Sequence, residues 1–375
     1  MRDNARQQRF VQIGKFYPPE WGGIETFAKN LADGVAASGI LSEITVFTRD
    51  ETIVERVGDV IVDRSHAGRT ISSQPISLPW LWRTIRRARD ADVVLVHYPN
   101  VLAIAAVPFL RTKRLVTYWH SDVVNKGVLG RIVGVAERYL LRRSDLVLAS
   151  TQSYADASPR LRAVRNKTKV LAIGIDDVNH LPQQTLPYTI ANFVGETGRI
   201  VLAVGRLVKY KGFDVLIHAA GHVPPDTRIV IVGAGPERDY LLGLIDRLGV
   251  TDRVLLAGRQ DDASLQALFQ VAAVYAMSSV ERSEAYAIVQ LEAMAHAIPI
   301  VATDIAGSGV PEVSGHGETG ALVPVGDAAA LGQALTMILD CKDDLLRQRA
   351  RQRFEARFTT EHMINDAMIL LFDQH

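Results

Sequence analysis

Residues 278–297 read SSVERSEAYAIVQLEAMAHA. An apolar run, Val271 to Met277, precedes them with the length of a buried strand. Ile288, Leu291, Met294 and Ala295 follow at helical spacing. The stretch therefore reads as strand, loop and helix. Glu284 is expected in the loop at the carboxyl end of the strand, and Glu292 about two turns into the helix. In open α/β sheets ligands bind outside the carboxyl ends of the strands, where a helix N-terminus offers unpaired N–H groups to an anion. A carboxylate beside a phosphate is repelled, so Glu284 and Glu292 are expected to face hydroxyls. A nucleotide-sugar has the matching layout: sugar hydroxyls, diphosphate, ribose hydroxyls. The two carboxylates alone fit equally well with a solvated Glu284 and a Glu292 on a helix surface.

Outward from this stretch, the pattern repeats. Ile200 to Val204 reads as a strand running into Gly205-Arg206-Leu207-Val208-Lys209-Tyr210-Lys211-Gly212, and helical spacing resumes at Phe213, Leu216 and Ile217. Arg206 and Lys211 thus flank a loop at a strand's carboxyl end. Arginine as a fork and lysine as a point charge suit a diphosphate. Further strands are expected at Phe10–Ile13, Ser42–Thr48, Val93–His97, Arg114–Tyr118 and Leu146–Ala149. They alternate with helices near Leu78–Arg89, Val101–Leu110, Leu129–Leu141 and Ser153–Val164. This alternation predicts parallel sheets covered by helices. Periodicity fails between Gly174 and Arg199, which places a boundary near residue 180.

Composition narrows the function. The chain has 375 residues, enough for two domains, and a formal net charge of +1, which argues against bulk nucleic-acid binding. One cysteine, Cys341, excludes an internal disulfide and a multi-cysteine metal site, and suits a reducing cytoplasm. The first residues lack the apolar stretch of a signal peptide, and no run has the length of a membrane span.

In the first half, two strand ends carry polar clusters: His97-Tyr98-Pro99-Asn100, and Trp119-His120-Ser121-Asp122. Both are expected at the ligand edge of a sheet. Gly22-Gly23 opens a helix that carries Glu25. Two glycines there either let a backbone approach an anion or make a turn that needs positive φ. Glu25 either faces the ligand or compensates the helix dipole. Trp80-Leu81-Trp82-Arg83 through Arg89, and Arg138-Tyr139 through Arg143, are basic and aromatic. Such a surface suits an anionic membrane, or is an ordinary solvated helix.

The Glu284…Glu292 spacing ending in Leu-Glu-Ala-Met-Ala resembles the signature of the retaining family 4 glycosyltransferases. Arg206…Lys211-Gly212, Gly233-Ala234-Gly235-Pro236 and Phe16-Tyr17-Pro18-Pro19 through Gly22-Gly23 resemble the same family. The resemblance implies the GT-B fold, an α/β architecture of two Rossmann-like domains facing across a cleft. It implies an acceptor domain at 1–180, a donor domain at 181–355, and a terminal helix at 356–375 crossing back to the first domain. Glu284, His120, Arg206 and Lys211 are implied as the catalytic set. The donor contacts are Gly22, Gly23, Arg206, Lys211, Glu284, Tyr286, Ala287, Ile288 and Glu292, and the acceptor contacts are Asp122, His97 and Glu25. His120 is placed near the transferred sugar, bonding a hydroxyl or the developing charge, with Asp122 orienting it or binding the acceptor. No metal and no cofactor are expected. The wording is similar to that of bacterial mannosyltransferases of exopolysaccharide and O-antigen synthesis. GDP-mannose is therefore the expected donor, a polyprenyl-diphosphate-linked saccharide the acceptor, and the cytoplasm the place, with peripheral contact at the inner face of the cell membrane as an option. UDP-glucose, UDP-galactose or UDP-N-acetylglucosamine are the alternative donors. A nucleotide-sugar epimerase and a non-enzymatic nucleotide-sugar sensor are the rival classes. One departure stands out: Ala285-Tyr286-Ala287 occupies the place where the family commonly has Gly-Phe-Gly, and Ala287 is expected to narrow the sugar pocket.

Overall fold

The structure, a computed structural model, describes residues 6–20, 22–71, 74–123, 127–178, 180–196 and 198–373. The chain divides into two compact units, Met1–Ile175 with Thr360–His375, and Asp176–Thr359.

The first unit is built on an eight-stranded sheet. Its spatial order is Thr168–Val170, Leu146–Ala149, Thr112–Trp119, Ala91–Tyr98, Arg9–Ile13, Leu41–Thr48, Val60–His66, Ile53–Val57. All neighbours are parallel except the last pair. The central strands are buried on both faces, as Val93-Val94-Leu95-Val96 and Val116 to Trp119 show. Chain order reverses on either side of Arg9–Ile13, which pairs with both Leu41–Thr48 and Ala91–Tyr98. The helix Thr360–Phe372 completes this unit. Phe372 meets Phe10 edge-on at 5.9 Å, and Met363, Ala367 and Leu371 are buried.

The second unit has six parallel strands in the order Val254–Gly258, Thr227–Val232, Arg199–Val204, Val274–Met277, Ile300–Thr303, Gly320–Val323. Numbered along this unit, that is 3-2-1-4-5-6, the Rossmann order, with its switch point between Arg199–Val204 and Val274–Met277.

Three expectations are corrected. The strand before Ser278 begins at Val274, because Val271 closes the helix Asp262–Val271. The apolar run straddles two elements: Ala267, Leu268 and Phe269 are the buried face of that helix. The helix after Tyr286 begins only at Val289, so Glu292 lies in its first turn. The expected helix Ser153–Val164 is two, Gln152–Ala157 and Pro159–Arg162. Ser158 ends the first, and its hydroxyl caps the second by accepting from the Leu161 amide.

The helix Leu78–Ala88 carries only part of the cationic surface expected of it. Trp80 is fully buried and stacks on Phe47 at 4.3 Å. Arg83 and Arg87 turn inward to Asp63 at 2.8 and 3.1 Å, and Arg87 also reaches Glu43 at 2.9 Å. Arg9 binds Glu43 from the other side at 2.6 Å. Asp63 and Glu43 are buried on neighbouring strands, so these arginines neutralise charges that could not be left alone there. Leu78, Trp82, Arg86 and Arg89 remain exposed.

Candidate functional site

The second unit gathers its polar groups at the switch point. Lys211 closes the short 3-10 turn Lys209–Lys211 after the strand Arg199–Val204. Glu284 lies in the loop after Val274–Met277. Their side chains meet, Nζ to Oε2 at 2.5 Å, with 11% and 9% of each exposed. Ser279 Oγ donates to the same carboxylate oxygen at 2.9 Å. The two loops are tied by backbone as well: the Val280 amide donates to the Tyr210 carbonyl at 2.8 Å. Gly212 sits between them with φ +61°, and a Cβ there would come 2.1 Å from the Ser278 carbonyl oxygen. Arg206, by contrast, is exposed and pairs with no described residue.

The loop from Arg282 to Ile288 is held from the third side by the glycine-rich loop after Ile300–Thr303. Arg282 Nε donates to the Gly307 carbonyl at 2.8 Å, Ser308 Oγ to the Glu284 carbonyl, and the Gly309 amide to the Ala285 carbonyl at 2.9 Å. Ala287 has φ +61°, a left-handed conformation that costs a non-glycine residue about 1 kcal/mol. This accounts for a position where glycine is the easier residue. The Ala287 and Ile288 amides donate to no described residue. Glu292, in the first turn beyond them, is partly exposed as a residue. Desolvation of its carboxyl, with Asp262 adding repulsion, pushes it up to about 7. Ser279, Arg282 and Ser308 were not singled out from the sequence. The glycines flanking Ser308 suit a loop there, and nothing in the sequence signals what it braces.

In the first unit the polar residues also sit at a switch point. His97 on Ala91–Tyr98 and His120 beyond Thr112–Trp119 stack at 5.3 Å, with Nδ1 of His97 3.0 Å from Nε2 of His120. His97 Nε2 lies 2.7 Å from Gln12 Oε1, on the neighbouring strand Arg9–Ile13. Phe27 and Tyr118 pack on the pair. Burial pushes His97 down to about 3, and burial with the neighbouring His97 holds His120 well below the usual histidine range. Gln12 was missed in the sequence, because a lone polar residue in an apolar strand carries no motif.

Asp122 lies in the loop two residues beyond His120. Its Oδ1 accepts from the Trp119 indole at 2.9 Å and from Ser158 Oγ at 2.7 Å, so it fastens the loop after the strand. Gly22 and Gly23 do start a helix, Gly23–Ala37, but Gly22 has φ −175°, extended backbone that any residue adopts. The turn needing positive φ is therefore absent. A Cβ on Gly22 would instead approach Glu25 Oε2 to 2.5 Å. Burial holds the Glu25 carboxyl above its ordinary range, partly offset by its own amide and by Lys15. Among the described residues no group of three or more His, Cys, Asp or Glu is arranged to hold a metal ion.

Residues 21–179 match the family described as Glycosyltransferase Family 4, and residues 190–357 match Glycosyl transferases group 1. The chain is 31% identical to O-antigen chain mannosyltransferase C of Escherichia coli over 368 residues, 95% of each protein. It is 30% identical to the D-rhamnosyltransferase WbpZ of Pseudomonas aeruginosa, covering 94% of this chain and 92% of that one. Among solved structures it superposes on HepE of Anabaena in complex with UDP and glucose with a TM-score of 0.73 at 19% identity, covering 96% of this chain and 98% of that one.

Proposed function

The chain belongs to the family 4 glycosyltransferases, with the GT-B fold, and on that premise we propose that it transfers mannose from GDP-mannose, with retention, to a hydroxyl of a lipid-linked saccharide in bacterial polysaccharide synthesis. The observation that carries this is the junction of Lys211 and Glu284 at the switch point of the second unit. A cation and an acid share one spot, on the loop whose Ala287 and Ile288 amides donate to no described residue, one turn before Glu292. That spot suits a diphosphate with alcohols on either side. Arg206 and Lys211 neutralise the diphosphate, so no metal is assigned to the reaction. Glu284 accepts from hydroxyls of the sugar and Glu292 from those of the ribose. His120 faces the transferred sugar, and Gly22 and Gly23 allow close approach of the donor phosphate. The acceptor is assigned to the first unit, with Asp122 and Glu25 at its edge, while His97, 2% exposed and with both ring nitrogens engaged, acts through His120.

In the proposed reaction the bond from the sugar's anomeric carbon to the phosphate oxygen breaks as the acceptor oxygen bonds to the same face. The acceptor's proton passes to an oxygen of the departing diphosphate. Negative charge grows on that diphosphate, and fixed cations stabilise it more in the transition state than in the ground state. The named relatives support the sugar. D-rhamnose is 6-deoxymannose, so a mannosyltransferase and a D-rhamnosyltransferase share an axial 2-hydroxyl. UDP-glucose, UDP-galactose and UDP-N-acetylglucosamine form the alternative. No described helix is long and apolar enough to cross a membrane, and contact with a lipid-linked acceptor is proposed to be peripheral.

A hydrolysis assay over a panel of GDP- and UDP-sugars tests this. Free sugar plus nucleotide identifies transfer chemistry and the donor, an epimer identifies isomerisation, and neither product identifies a sensor. Lys211→Ala and Glu284→Ala should each lower turnover at least about 100-fold. Near-normal turnover in both refutes the assignment.

A further inference from the structure

We propose that Gln12 and His97 are positioning residues that lock His120 in its neutral Nε2–H tautomer, leaving Nδ1 to accept a hydrogen bond from a sugar hydroxyl. The argument starts from a group that can only accept. Gln12 Nε2 lies 3.1 Å from the main-chain carbonyl of Ala28. A carbonyl has no proton to give, so the amide nitrogen of Gln12 faces it and Oε1 faces away. Oε1 lies 2.7 Å from His97 Nε2, and an amide oxygen also only accepts. His97 therefore carries its proton on Nε2. Neutral His97 then offers a lone pair at Nδ1, 3.0 Å from His120 Nε2. His120 must supply the proton between them, and its own Nδ1 keeps a lone pair that no described residue engages.

The environment keeps both rings neutral. His97 and His120 are 2% and 7% exposed, with Phe27 and Tyr118 packed against them. Neither ring has a carboxylate among its hydrogen-bond partners. A charged His120 would need an unpaired buried cation, which the surroundings penalise. The consequence is specific. A phosphate oxygen or a carbonyl finds no donor at Nδ1, whereas an O–H finds an acceptor. Of the two roles expected for His120, hydroxyl recognition is the one this tautomer serves. Gln12 touches nothing beyond His97 and Ala28 in this chain of bonds, yet it determines which nitrogen of His120 is basic.

The assignment rests on the transferase reading only for the substrate that Nδ1 meets. Long-range 1H–15N spectra of the whole protein labelled in histidine read the tautomer directly. At neutral pH His120 should show a pyridine-type Nδ1 and a pyrrole-type Nε2. A pyrrole-type Nδ1, or an imidazolium, in the unsubstituted protein overturns the proposal. In Gln12→Met the lock is removed without a new charge. His120 should become a mixture, and kcat should fall about tenfold with KM for the donor within about twofold. A folded Gln12→Met protein with an unchanged His120 spectrum also overturns it. With the nucleotide-sugar that the hydrolysis panel selects, a shift of the Nδ1 resonance assigns the hydroxyl to the donor. A shift that waits for a saccharide acceptor assigns it to the acceptor, and no shift with both bound refutes hydroxyl recognition. If the panel yields no transfer while the spectrum is as expected, the relay stands and the transferase reading fails.

Discussion

Glu292 combines two demands that oppose each other. In its proposed role as acceptor of ribose hydroxyls it must be ionised, yet burial pushes its carboxyl up to about 7. The folded chain therefore takes up a proton between its ordinary value of 4.5 and about 7, which the unfolded chain does not. The sign follows: this group costs stability as pH rises through that window, and the cost is complete above about 7. Binding runs the other way. If the carboxylate is the form that accepts from the ribose, affinity for GDP should weaken below the same pH, approaching about tenfold per unit. Titration calorimetry between pH 6 and pH 8 measures it. Glu292→Gln should flatten the profile, bind GDP more weakly at pH 8, and be more stable there than the parent. A flat profile in the parent protein contradicts the role given to Glu292. His97 and His120 pull stability in the opposite sense, since both are held neutral and the unfolded chain takes up protons below about 6.5. Comparison with Glu292→Gln at each pH is therefore what isolates the glutamate.

At the level of elements, the helix Thr360–Phe372 is a structural part of the first unit. It lies against Gly23–Ala37, where Asn30 Nδ2 donates to Thr360 Oγ1 at 3.3 Å and a Cβ on Gly34 would come 2.3 Å from Ile364 Cδ1. Alanine for glycine inside a helix ordinarily gains about 1 kcal/mol. Here the added methyl collides with a branched side chain, and overpacking of this kind costs about 1–3 kcal/mol. Gly34→Ala should lower the urea midpoint, and adding Ile364→Ala should return part of the loss, giving a non-zero coupling in a double-mutant cycle. A Gly34→Ala protein more stable than its parent would sink the idea. The resemblance implied a terminal helix returning to the first domain, but the contact of Gly34 with Ile364 was not legible, because the two helices are separated by most of the chain. What was legible were elements whose two faces agree, such as the all-apolar strands Val93–Val96 and Ile200–Val204. The strands Ile53–Val57 and Val60–His66 went unread, because Glu55, Asp63 and Arg64 break the apolar pattern. Their charges are settled only by tertiary partners: Arg64 by Glu55 at 2.6 Å, Asp63 by Arg83 and Arg87. The Glu284 loop was legible from its spacing, whereas its bracing by Ser308 and Arg282 depends on a loop some twenty-five residues downstream.

For the whole molecule, a net charge of +1 leaves little long-range attraction to an anionic surface, so any membrane contact has to come from a local patch. We propose that the first unit supplies one. Its helices Leu78–Ala88, Val101–Ala106 and Gly127–Arg143 are neighbours on the sheet. Leu78, Trp82, Phe109 and Val135 stand exposed on or beside them, with Tyr139 partly so. Arg86, Arg89, Arg111, Arg138, Arg142 and Arg143 are exposed among them. Arg83 and Arg87 are spent on Asp63 and Glu43, which makes the outward set smaller than the sequence suggested, and the arginines that remain in it form no ion pair with a described residue. An amphipathic surface of this kind binds by apolar burial plus about 1 kcal/mol for each basic residue near an anionic leaflet. Co-sedimentation with phosphatidylglycerol vesicles should therefore be clear at low salt, fall as salt is raised, and be weak with phosphatidylcholine. Arg86→Ser should weaken it about fivefold and Trp82→Ser by at least as much, with hydrolysis of a soluble nucleotide-sugar unaffected in both. Equal binding to the two lipids, or binding indifferent to Trp82 and Arg86, would show that this face has another purpose. The proposed lipid-linked acceptor would then have to be reached without it.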